Sequence, residues 1–193
     1  MSELITIIIA TVILISIFMH YETKYSELTY VTSSVDKEEY LVRNRKDKED
    51  AANLLANIKK RLLKLVEMCE KYHSDDERVH RLVKKFKPEK ISESLSSSKH
   101  TSYSVNKGEK IVFCIRSKDK KQKLIKLNTM MFVAIHELAH VMTVSVGHTD
   151  EFWDNMRFLL KVAIKNNLYK KQNFQKKPEP YCGTSITDTP LRE

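Results

Sequence analysis

With 193 residues, 41% of them apolar, the chain has room for one domain with a real core plus appendages, so one catalytic unit is the ceiling. The 34 Lys and Arg against 25 Asp and Glu give a formal charge of +9, which favours anionic surfaces such as nucleic acid or acidic lipid head groups, although a solvated basic surface is the plainer account. Cys69, Cys114 and Cys182 are odd in number, far apart and in no CxxC pair, an arrangement that argues against a disulfide framework or a Cys-rich zinc module and for a reducing compartment.

Leu4 to Met19, "LITIIIATVILISIFM", is uncharged and almost wholly apolar. Only Thr6, Thr11 and Ser16 interrupt it, and their hydroxyls can bond back to helix carbonyls. The run predicts a membrane helix in contact with a lipid bilayer through residues 4–19, helped at the interfaces by Ser2, His20 and Tyr21 because ~1.5 Å per residue leaves it short of a ~30 Å hydrocarbon core. A cleaved signal peptide would want a basic start and a small-x-small exit, whereas the chain starts "MSE" and leaves the run as "HYETKY". Residues 1–21 are therefore expected to be an uncleaved, single-pass anchor. Lys24, Lys37, Arg43 and Arg45 after the run, against Glu3 before it, put the body on the cytoplasmic side.

Residues 22–45 lack sustained periodicity and read as a tether, and 46–193 as the folded domain. From Lys46 on, Ala51, Leu54, Leu55, Ile58, Leu62, Leu65, Val66 and Cys69 recur at helical spacing, predicting a long amphipathic helix. A shorter helix around Asp76 to Lys87 is stopped by Pro88, and "ISESLSSSKH" is a polar connection. Tyr103 to Ile115 reads as a β-hairpin whose turn, "NKGE", takes positive φ at Asn106 and Gly108. After the charged loop "RSKDKKQK", a helix begins with Asn128 or Thr129 as its cap.

That helix carries "HELAH". His136 and His140, four residues apart, project from one face and can grip one cation, while Glu137 beside them is placed to move a proton rather than to bind. A catalytic zinc site wants three protein ligands and an open position. Val141 to Val146 extends the helix, Gly147 is a natural stop, and His148 follows the turn as the third ligand. Asp150 and Glu151 are carboxylate alternatives, but they suit the first turn of the next helix, which Thr149 would cap. Phe152, Trp153, Met156, Leu159, Leu160 and Ala163 form that helix's apolar stripe to about Asn167, with Trp153 as the expected peg into the core. In the tail, "KKPEPYCGTSITDTPLRE", Tyr181 could donate to an oxyanion and Cys182 could become a fourth, inhibitory ligand; a tail merely packed on the surface is the plainer reading.

"VNKGEKIVFCIRS", then "LIKLNTMMFVAIHELAHV", then "GHTDEFW" resembles the WLM family of zincin metallopeptidases, relatives of the SprT-like proteases, over roughly residues 102–160. The hydrophobic N-terminus and the "YCG…TDTP" ending resemble the WLM-like proteins of giant DNA viruses. The resemblance implies an α+β zincin-like fold, helices with a small antiparallel sheet, binding Zn2+ through His136, His140 and His148 with Glu137 as general base. It further implies that Val112, Phe113 and Cys114, on the strand from Lys110 to Ile115, hold an extended protein or peptide substrate by main-chain bonds. The helical segment from Asp50 looks like an addition to the family pattern. The third His also comes later than is usual for the family, so the turn must be longer. Cellular members are associated with cleaving proteins crosslinked to DNA, a role a membrane anchor fits poorly. The combined expectation is a membrane-anchored, virus-associated zinc metallopeptidase. Its rivals are a non-catalytic structural or virion-membrane protein that keeps the fold, and a nucleic-acid-associated protein using the lysines of 84–87 and 118–126.

Overall fold

The N-terminal run forms α1 (Ser2–Glu27) of a computed structural model that describes residues 2–191. Within it, Glu3–Glu22 is long and apolar enough to cross a membrane, and none of that window is buried. Twenty residues at 1.5 Å span roughly 30 Å, a bilayer's hydrocarbon thickness. As expected for a hydroxyl in an apolar helix, Thr11 Oγ1 donates to the Ile7 carbonyl at 2.8 Å.

Residues 22–45, expected to be a tether, instead form regular structure. β1 (Leu28–Thr32) begins at the residue after α1 and pairs antiparallel with β2 (Glu39–Arg43), Leu28 opposite Arg43. Tyr40 and Val42 drop into the core at 3% and 0% exposure, and Glu27 closes the junction by an ion pair to Arg43 (3.2 Å) and by accepting from the Ser96 amide (2.6 Å). Two buried residues in one five-residue strand are too short a period-2 signal to read without the partner strand.

The long amphipathic helix is α2 (Lys48–Tyr72), with Ala51, Leu55, Ile58, Leu62, Leu65 and Cys69 fully buried and Leu54 and Val66 at the margin. Lys59, on the buried side, is satisfied by Glu38 from the β1–β2 turn. α3 (Glu77–Lys85) is capped by Asp76, which accepts from the Arg78 amide at 2.9 Å. β3 (Ile91–Glu93), β4 (Ser102–Val105) and β5 (Lys110–Phe113) complete a five-stranded sheet of order β1-β2-β3-β5-β4. The β2–β3 and β3–β5 pairings are parallel, so the sheet is mixed rather than antiparallel. β4 and β5 form the predicted hairpin, Ser104 opposite Ile111. Its turn takes positive φ at Asn106, Lys107 and Gly108. At Gly108 a Cβ would lie 2.8 Å from the Lys85 carbonyl oxygen and 2.9 Å from Val141, so only glycine lets the turn rest there.

α4 (Leu127–Met142) and α5 (Asp150–Lys165) pack together, and α4 also meets β4. Neither Asn128 nor Thr129 caps α4, whose cap position is Lys126; Asn128 is turned to Lys170 and Gln172 instead. Thr149 does cap α5, accepting from the Phe152 amide. The tail folds into a small hairpin, β6 (Glu179–Tyr181) and β7 (Thr184–Ile186), turned by Cys182 and Gly183 at positive φ. Cys182 is bonded to Cys114 at the end of β5, Cα atoms 6.2 Å apart. The expectation of unpaired thiols is corrected here, and the argument for a reducing compartment goes with it. Cys69 remains a free, buried thiol.

Candidate metal centre

α4 is buried along nearly its whole length, and His136 and His140 look out from it into a cleft of about 520 Å3. The helix stops sooner than Gly147 suggested. Thr143 turns extended (φ −88°, ψ 137°), and its hydroxyl bonds back to the Ala139 carbonyl at 2.7 Å while accepting from Asn155 Nδ2 at 2.9 Å. Residues 143–148 are then an irregular loop that returns His148 to the helix, placing its Nε2 3.1 Å from His136 Nε2. One ligand nitrogen each from His136, His140 and His148 lie within 4.8 Å of one another.

Below the three imidazoles sits Phe152, fully buried, its centroid 4.9, 4.3 and 4.6 Å from those of His136, His140 and His148. The expected core peg is therefore Phe152 and not Trp153. Trp153 is 37% exposed, with its ring centroid 5.5 Å from that of His148. A single step along α5 turns a side chain by about 100°, enough to exchange core for rim.

Burial depresses His136 to about 3 and His140 to about 4, helped by the neighbouring imidazoles. Both are neutral at pH 7, the form that coordinates. Zn–N bonds of ~2.0–2.1 Å in tetrahedral geometry put ligand nitrogens about 3.3 Å apart. With one nitrogen pair at 3.1 Å and all three within 4.8 Å, the imidazoles face a cleft and fit a zinc ion with one position left open. Asp150 and Glu151 stay outside the cluster. Glu151 instead accepts from the Val144 and Ser145 amides at 2.9 and 3.0 Å and from the Ser145 hydroxyl at 2.8 Å, bonds that hold its carboxyl down at about 2.

Glu137 points into the same cleft, 5% exposed, and desolvation raises its carboxyl to about 7 against a backbone hydrogen bond from Ser104 that opposes the rise. Ser104 belongs to β4. That strand, not β5, is the sheet's edge, and Thr101 to Ser104 line the cleft. Val112, Phe113 and Cys114 are inner and buried, with β5 hydrogen-bonded on both sides, so they do not present an edge to a substrate. Tyr181 lines the cleft with its phenol paired to Ser102 Oγ, and burial raises its pKa well above the usual value. Cys182, held in the disulfide, has no free thiol for the metal.

The spacing of the motif gave the three histidines and Glu137, but not Ser104, Phe152 or Lys107, which lines the cleft and reaches the loop between the second and third His. The "NKGE" turn was the only signal near Lys107. Of the lysines considered for nucleic acid, Lys84, Lys85 and Lys87 share a shallow concavity with Lys90 and Lys107, and those of 118–126 do not join them.

A WLM domain model matches residues 34–192. The chain belongs to the WLM family. That match takes in α2, so the helix from Asp50 is part of the WLM domain rather than an addition to it. The uncharacterized protein R325 of Acanthamoeba polyphaga mimivirus is 35% identical over 192 residues, 97% of this chain and 96% of the relative. The uncharacterized protein 042R of Invertebrate iridescent virus 3 is 45% identical over 69 residues, 35% of this chain and 42% of its own length. Relatives of this chain thus occur in viruses. In fold, the chain is similar to a crystallised mutant of Wss1 from Saccharomyces cerevisiae, with a TM-score of 0.50 and 21% identity, covering 66% of this chain and 91% of that one.

Proposed function

We propose that this WLM protein is a membrane-anchored zinc metallopeptidase of the HExxH type that cleaves protein or peptide substrates. The observation that carries the reading is the convergence of three imidazoles with a buried carboxylate in a cleft walled by a sheet edge. A zinc ion in this donor set would act as a Lewis acid on a scissile carbonyl and on a water molecule. The chain's own residues supply the rest. Glu137, poised at about 7 by its burial, can accept a proton at a carboxylate oxygen and later pass it to the departing amine, and a scaffold would have no use for such a group. Tyr181, kept protonated, offers its O–H to a developing oxyanion. The outer edge of β4 offers main-chain donors and acceptors to an extended substrate. The exposed apolar face of Glu3–Glu22 supports insertion in a bilayer.

The test is zinc stoichiometry and peptide cleavage, compared between wild type and Glu137→Gln. One zinc per chain in both proteins, with cleavage only in wild type, is the expected result. Cleavage undiminished in Glu137→Gln, or wild type purified without chelators and free of zinc, would sink the reading and favour a non-catalytic membrane protein of the same fold.

A further inference from the structure

The segment that delivers His148 has almost no apolar anchorage. Val144 and Val146 are 60% and 88% exposed, and a Cβ on Gly147 would meet nothing within 4 Å. Ordering such residues costs backbone entropy, so something must hold them. Two charged side chains do so. Lys107 Nζ donates to three successive carbonyls, those of Thr143 (2.9 Å), Val144 and Ser145 (3.0 Å). Glu151 accepts from the amides of Val144 and Ser145 and from the Ser145 hydroxyl. The carbonyls of Thr143 to Ser145 and the amides of Val144 and Ser145 are thus taken by one lysine and one glutamate.

Each clamp is fixed in turn. Lys107 sits at φ +52° in the β4–β5 turn, whose Gly108 rests against α3 and α4. Glu151 lies in the first turn of α5, 3.8 Å from Arg81, which also donates to the Met142 carbonyl at 2.7 Å.

We propose that Lys107 and Glu151 are positioning residues that hold the 143–148 loop in its ligating shape before metal arrives, and thereby set the metal affinity through His148. This rests on the metal site proposed above. Because Lys107 lies in the turn that ends the strand walling the cleft, it also ties the metal loop to the strand that faces the substrate.

The experiment measures zinc affinity by chelator competition on the full chain in detergent, for Lys107→Met, Lys107→Arg, Glu151→Gln and His148→Ala, and for each clamp variant combined with His148→Ala. Expected is a loss of roughly 10–100-fold in Lys107→Met and in Glu151→Gln, with partial recovery in Lys107→Arg, as for outer partners of metal ligands. In the His148→Ala background the clamp variants should add no further loss, which a general structural weakening would not reproduce. Wild-type affinity in both clamp variants, or equal losses with and without His148, overturns this inference alone. A wild-type chain that binds no zinc overturns the metal site as well.

Discussion

His148 Nε2 lies 3.1 Å from His136 Nε2 across twelve residues of chain, and the loop between α4 and α5 exists in that shape to bring them together. His148→Ala removes a proposed ligand and its ring contacts to Phe152 and Trp153 from an exposed loop. Metal affinity should fall by more than about a hundredfold, because loss of a mere outer partner already costs ~10–100-fold. Calorimetric titration with zinc, alongside thermal melts of the metal-free proteins, checks this. Equal affinity in variant and wild type would exclude His148 as a ligand.

The buried carboxyl of Glu137 should destabilise the metal-free protein above neutral pH. Its folded value, raised to about 7 by desolvation, exceeds the ~4.3 of an unfolded Glu, so between these values the folded state holds the proton more tightly. Stability from this group is therefore highest below about pH 4 and is lost as pH rises through about 7, by at most about 3.7 kcal/mol. Glu137→Gln removes the dependence. Metal-free Glu137→Gln should accordingly be more stable than wild type at pH 8, with the gap closing near about pH 4.5, in urea melts at both pH values. Because His136 and His140 are present in both proteins, their acid titration cancels in the difference.

The motif made the metal helix legible because ligand chemistry and helical spacing are local. His136, Glu137 and His140 needed no tertiary information, and the cap at Thr149 is local as well. What depends on distant partners was not legible. Val42 is buried because β2 lies on α2 and beside β3, and β5 is internal because β3 crosses to pair with it. Arg116 shows the limit most clearly. It begins a run that reads as a charged loop, yet it is 1% exposed, paired to Glu93 at 2.8 Å and to Asp47 at 2.5 Å. No spacing rule announces a buried ion pair between residues 23 apart. His148 fell between these cases: its type as a candidate ligand could be inferred from coordination number, its loop only from Lys107 and Glu151.

The Cys114–Cys182 bond closes a 68-residue separation and fastens the Tyr181 hairpin beside the cleft. Chain entropy alone assigns a loop of that length about 4 kcal/mol of stabilisation. Cys182→Ser, or reduction of wild type, should lower the melting temperature and expose Tyr181, whose phenol would then titrate nearer its ordinary value. Alkylation under denaturing, non-reducing conditions should label one cysteine of three, Cys69. Labelling of all three, with no change in melting on reduction, would contradict the pairing.

Where the soluble domain begins is decided by β1 and β2. A chain starting at Leu28 loses α1 and the contacts of Glu27 with Arg43 and Ser96, all at the margin of the core. It keeps the whole sheet and should remain folded, zinc-binding and free of liposomes, while the full chain floats with them. A chain starting at Lys46 loses far more. Tyr40 and Val42 leave the core, each worth roughly 1.5–3 kcal/mol of burial; Lys59 loses Glu38; and β3 becomes an open edge one strand from the hairpin that walls the cleft. Such a loss approaches the ~5–15 kcal/mol that holds a typical domain together. The shorter chain should aggregate or melt without cooperativity, and its amide exchange should be fast throughout β3 and β5. A cooperative melt equal to that of the chain from Leu28 would mean that β1 and β2 are dispensable to the core, and that residues 22–45 behave as a tether after all.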